Sequence, residues 1–109
     1  MIRIDIKPLS INQAYKGKRF RTDKYNTFIK QMMLLLPPLK DVPTKDTKDI
    51  KIRIEFGYSS MLSDADNGCK TFLDCLVKRY GFDDRYIMEI LIQKKIVDKG
   101  KEYIIFGFY

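Results

Sequence analysis

Between Ser63 and Asp84 the chain reads SDADNGCKTFLDCLVKRYGFDD, and Asp64, Asp66, Asp74, Asp83 and Asp84 all fall within it. Asp64 and Asp66 are two apart, so in an extended segment both carboxylates project to one side. Asp83 and Asp84 follow some 17 residues later, beyond a helix of about 20 Å, so they join the pair only if tertiary folding brings them back. Converging carboxylates with no histidine or thiolate among them make a hard oxygen site, which suits Mg²⁺ or Mn²⁺. A metal held there can activate water and neutralise charge developing on a phosphate. Lys70 lies early in the helix expected after Asp66, where its ammonium can meet a scissile phosphate or a departing oxygen.

The same residues carry plainer readings. Asp66 is well placed to cap a helix. Lys70 and Asp74 have the i, i+4 spacing of a surface ion pair. Asp83-Asp84 after a glycine is ordinary turn chemistry. DADNG also resembles the start of a calcium-binding EF-hand loop, but the glycine falls at position five and Cys75 stands at position twelve.

The rest of the chain sets a different electrostatic background. It holds 21 Lys and Arg against 14 Asp and Glu, for a net charge of +7, a balance that favours a polyanionic partner. The absence of histidine excludes a Ser-His-Asp triad, a Cys-His pair and a histidine zinc site. Cys69 and Cys75 sit six apart on one expected helix, about 9 Å of rise, too far to bridge. They read as reduced packing residues. No run approaches the roughly 18 apolar residues of a membrane span. The N-terminus, MIRIDIKPLS, alternates and lacks a signal-peptide apolar core. A cytoplasmic protein away from membranes is expected.

Positioning these residues requires an expected order β-α-β-α-β-β in a single α+β domain over 1–109, with two main helices against one face of a mixed sheet. Residues 2–7 alternate and form a strand closed by Pro8. Residues 9–22 read as a loop. Thr22 or Asp23 caps a helix over 24–36, stopped by Pro37 and Pro38. Residues 50–58, IKIRIEFGY, alternate as a strand. A helix over 67–79 follows, capped by Asp66 and ended by Gly81. Cys69, Phe72, Leu73, Leu76 and Tyr80 share its apolar face. Residues 85–96 and 102–109 read as strands joined around Asp98-Lys99-Gly100.

Residues 15–24, YKGKRFRTDK, interleave Tyr15 and Phe20 with Lys16, Lys18, Arg19, Arg21 and Lys24. Mobile cations of this kind contact phosphates, and an aromatic can stack on an opened base. The plainer reading is a solvated loop. Lys94, Lys95, Lys99 and Lys101 form a second basic patch that could meet DNA, but they read more readily as charges that keep a hairpin soluble. In the C-terminal run, Ile104 and Phe106 are expected in the core. A dimer interface would also explain such a run.

DADNGCKTFLDCL followed by GFDD resembles the RusA family of Holliday junction resolvases. That family carries D-x-D-N-x-x-K-x-x-x-D-A-L and then a D-D pair. Asp64, Asp66, Asn67, Lys70, Asp74, Leu76, Asp83 and Asp84 fall on this pattern. Upstream, KIRIEF is similar to the family's preceding strand. PLSINQAY is similar to its P-x-S-x-N-x-x-Y segment through Pro8, Ser10, Asn12 and Tyr15. The resemblance implies Mg²⁺ on Asp64, Asp66 and Asp84, with Lys70 needed for cleavage. Asn12 then joins the basic segment in contacting DNA. It also implies a homodimer that cuts opposed strands of a four-way junction. Two positions depart from the pattern: Gly68 replaces a larger apolar residue and Cys75 replaces alanine. Met61, Leu62 and Ser63 also stand where a basic residue is common.

Overall fold

The structure is a computed structural model, and it describes residues 1–16 and 20–109. Lys18 and Arg19, expected to contact DNA, lie outside the described residues.

The main elements follow the expected order. Strand β1 (Ile2–Ile4) leads to a short helix α1 (Ile11–Ala14) and two short strands, β2 (Tyr15–Lys16) and β3 (Phe20–Arg21). Helix α2 (Asp23–Leu35), strand β4 (Ile50–Tyr58) and helix α3 (Cys69–Tyr80) come next, then β5 (Ile87–Ile96) and β6 (Tyr103–Phe108). The segment read as a loop over 9–22 is therefore more ordered than expected. Ser10 caps α1 by accepting from the Gln13 N–H. Tyr15 and Lys16 pair with Arg21 and Phe20.

Helix α2 begins where its cap predicts, since Thr22 Oγ1 accepts from the Tyr25 N–H at 3.2 Å. Its Tyr25, Phe28, Ile29 and Met32 are buried. The alternation of β4 puts Ile50, Ile52, Ile54, Phe56 and Tyr58 into the core. Helix α3 packs on that face through Phe72, which meets Phe56 and Phe106 edge-on at centroid distances of 6.3 and 5.3 Å. The fully buried residues of α3 are Thr71, Phe72, Cys75 and Leu76. Leu73, expected on that face, is only half-buried.

Sheet order is β1-β6-β4-β5. Strand β5 runs parallel to β4, with α3 as the crossover, while β6 is antiparallel to both β4 and β1. The expected β5-β6 hairpin does not form. The chain leaves β5, crosses the end of β4 where the Val97 N–H donates to the Tyr58 carbonyl, and inserts β6 between β4 and β1. This central position explains the apolar C-terminal run, because Ile104 and Phe106 are fully buried there. No described helix is long and apolar enough to cross a membrane.

Candidate active site and nucleic-acid interface

The site begins where β4 ends. Residues 59–68 fold back on Tyr58, whose hydroxyl donates to the Ala65 carbonyl and accepts from the Gly68 N–H at 3.0 Å. Burial pushes this hydroxyl up to about 12. The Gly68 N–H opposes the shift and the Asp66 charge adds to it. Tyr58 therefore stays a protonated donor at neutral pH. The Lys94 ammonium donates to the Ser63 carbonyl at 2.6 Å, bracing the segment just before Asp64. Sequence reasoning placed Lys94 among solubilising charges. The available signal was its parity, since it shares the helix-facing side of β5 with Ile90 and Ile92.

Asp66 does not cap α3. Gly68 occupies the N-cap position, and among the described residues no side chain caps the helix. Asp66 contributes only its backbone carbonyl, which accepts from the Cys69 N–H at 2.9 Å. Gly68 itself is packed closely. A Cβ there would lie 3.2 Å from the Pro8 Cβ and 3.3 Å from the Phe56 ring, so a larger side chain would require these neighbours to give way. The N-terminal segment is anchored at the same point. Thr71 is buried and donates to the Leu9 carbonyl at 2.6 Å, and the Ile11 N–H donates to the Asn67 carbonyl. These bonds carry Asn12 to the acidic loop.

Asp84 arrives from the other end of α3. Gly81 ends the helix with φ of 82°, a left-handed conformation that suits glycine. A single 3₁₀ turn, Asp84–Tyr86, then precedes β5. The two adjacent carboxylates take different roles. Asp83 caps this turn and pairs with Arg85 at 2.7 Å. The Arg85 hydrogen bonds hold its carboxyl below the usual range. Asp84 faces a cavity instead.

That cavity, about 570 Å³, is lined by Asn12, Asp64, Asp66, Lys70, Asp74 and Asp84 among others. All four residues expected to be catalytic thus border one space. They are not drawn together at one point. Parallel pairing sets Asp66 and Asp84 at opposite ends of α3, whose 12 residues span about 18 Å. Among the described residues no three carboxylate or thiol side chains stand close enough to share an ion.

Lys70 stands on the wall between them. Its ammonium is 3.8 Å from Asp74 Oδ1 and more than half exposed, a loose pair of little energetic weight. Asp74 is the better-held partner. Its Oδ2 accepts from the Tyr25 hydroxyl at 3.1 Å and from Tyr15 at 3.5 Å. Burial, and then Asp74, push the Tyr25 hydroxyl up to about 12, so it remains a donor. Sequence reasoning missed Tyr25 because only the fold brings α2 to α3. Burial also pushes the Cys69 thiol up and the Cys75 thiol up to about 12, so both are protonated, weak nucleophiles at neutral pH.

The basic segment divides. Asn12, Lys16 and the aromatic Phe20 are exposed. Tyr15 is half-buried against Tyr25. The Arg21 guanidinium lies 4.8 Å from the Tyr25 ring centroid. Lys24 turns away, lining a separate hollow with Lys7. Compared with protein-family models and with curated proteins, the chain matches none.

Proposed function

We propose that this chain is a divalent-metal-dependent endonuclease of the RusA type, acting on four-way DNA junctions as a homodimer. The observation that carries the reading is the shared cavity, where Asp64, Asp66, Asp84 and Lys70 face one space on a strongly basic chain. The donor set is chemically suited to Mg²⁺ or Mn²⁺, being all carboxylate oxygen, with the neighbouring thiols held protonated. Asp64 and Asp66, two apart in one loop, would hold the ion, and the resemblance adds Asp84 to them. Once bound, the metal supplies charge neutralisation at the phosphate and a more acidic water.

The chain's own residues do the rest. Lys70 places a positive charge beside the phosphate, and Asp74 steers it through the hydroxyls of Tyr15 and Tyr25. Lys16, Arg21 and Phe20 border the approach for DNA. The two-fold symmetry of a junction calls for two such sites, which a C₂ dimer provides. Ile104 and Phe106 lie in the core as expected, so they are not part of such an interface, whereas Met88 on β5 is exposed and available to it.

The separation of Asp84 from Asp64 and Asp66 favours one alternative, a junction-binding module that cleaves poorly. Incubation with a synthetic four-way junction decides between them. Cleavage with Mg²⁺ or Mn²⁺, binding with little turnover in Ca²⁺, and no cleavage in EDTA are expected. Cleavage in excess EDTA would overturn the metal-dependent reading. Binding without cleavage in any metal would establish the module.

Lys70→Ala gives a finer test. It removes one cation among 21 Lys and Arg, so junction affinity should change little. The single-turnover rate should fall roughly 10²-fold, as for loss of one charge-stabilising donor. Equal falls in affinity and rate would make Lys70 an ordinary phosphate contact.

A further inference from the structure

We propose that the groove between α2 and α3 is a binding site for the sugar-phosphate backbone of a DNA strand, continuous with the carboxylate cavity. The inference rests on the nucleic-acid reading above and extends it to residues of α2 and α3 that the reading does not use. The groove has a volume of about 460 Å³. Buried Tyr25 and Ile29 of α2 and half-buried Val77 of α3 form its apolar floor, and Arg21, Asn26, Lys30 and Lys78 stand exposed around it. Asp74 and Asp84 line this groove and the carboxylate cavity alike, so the two hollows meet at those residues.

The spacing of residues explains the continuity. Lys70, Asp74 and Lys78 recur every four residues along α3, on one face, advancing about 6 Å per step. Asn26 and Lys30 have the same spacing on α2. The stripe therefore leads from Asp64 and Asp66 along Lys70 and Asp74 to Lys78, at the end of α3 from which Asp84 follows. Arg21 is held over the groove by its contact with the Tyr25 ring. Among the described residues, Arg21, Lys30 and Lys78 form no ion pair. Asp74 is already occupied by Lys70 and two tyrosine hydroxyls. Three cations thus face one groove against two lining carboxylates, Asp74 and Asp84, and a row of phosphodiesters would satisfy the positive surplus. A strand lying there would run directly toward Lys70 and the carboxylates.

The test compares two triple variants that lose equal charge. One is Arg21→Gln, Lys30→Gln, Lys78→Gln. The other is Lys45→Gln, Lys99→Gln, Lys101→Gln, at exposed positions outside both hollows. Circular dichroism and urea unfolding check folding, and the double variant Lys30→Gln, Lys78→Gln leaves the Arg21–Tyr25 contact intact. Junction affinity is measured over a series of salt concentrations. The groove triple should flatten the slope of log K against log salt by about 2.7, roughly 0.9 per phosphate contact. The control should flatten it far less. Equal changes in the two triples would overturn the groove and leave the nuclease reading standing. A wild-type chain that binds no junction would overturn both. Inorganic phosphate at matched ionic strength should leave junction binding unchanged, and displacement by it would identify a free-phosphate pocket instead.

Discussion

Asp66→Asn should leave the protein folded and stop it cutting. The side chain has no part in holding α3, because Gly68 sits at the N-cap and Asp66 offers only its backbone carbonyl to Cys69. Asparagine presents the same carbonyl, so the urea midpoint should be unchanged. The carboxylate is lost from a cavity it shares with Asp64, Asp84 and Lys70. Loss of a ligand that fixes a catalytic divalent ion removes several kcal/mol of transition-state stabilisation. A fall of roughly 10³-fold, equivalent to about 4 kcal/mol, is expected in single-turnover cleavage. Asp64→Asn and Asp84→Asn should behave alike. Asp83→Asn should be milder, because Arg85 already occupies that carboxylate. Junction affinity should hold or rise, since each change removes negative charge near phosphates. A lowered urea midpoint with cleavage intact would show that Asp66 is structural and the site misassigned.

Phe72→Ala should bring the fold close to collapse. Phe72 is fully buried where α3 meets the sheet, and its ring touches Phe56 on β4 and Phe106 on β6. It therefore joins the helix that carries Lys70 and Asp74 to two central strands. Truncating a buried Phe costs about 3–5 kcal/mol, against a total of about 5–15 kcal/mol for a small domain. With a urea m-value of about 1–3 kcal/mol per molar, the midpoint should drop by roughly 2 M. Phe72→Leu retains more of the volume and should cost less. An alanine variant that loses under about 1 kcal/mol would contradict this packing. The effect separates cleanly from that of Asp66→Asn, one variant losing stability and the other losing chemistry.

What the sequence determined by itself was local. The alternation of Ile50, Ile52, Ile54 and Phe56 announces β4 because side chains of a strand point to opposite faces in turn. Thr22 and the Pro37-Pro38 pair bracket α2, and Gly81 ends α3, because caps and stops depend on neighbouring backbone groups. The identities of the carboxylates and Lys70 were legible for the same reason, as residue types at fixed spacing. Capping by Asp66 was a local inference that failed, because the fold-back onto Tyr58 moved the start of the helix past it. Other features depended on contacts between distant segments. Insertion of β6 between β4 and β1 places Ile104 and Phe106, which share one face, in the middle of the sheet and under the helices, an outcome no local pattern distinguishes from a hairpin. The anchoring of Asp74 by Tyr25, 49 residues away, and of the acidic loop by Lys94 exists only once α2 and β5 are in place. The distance from Asp66 to Asp84 was likewise decided by tertiary structure. Parallel pairing of β4 and β5 requires a crossover, and the length of that helix sets how far apart its two ends hold their carboxylates.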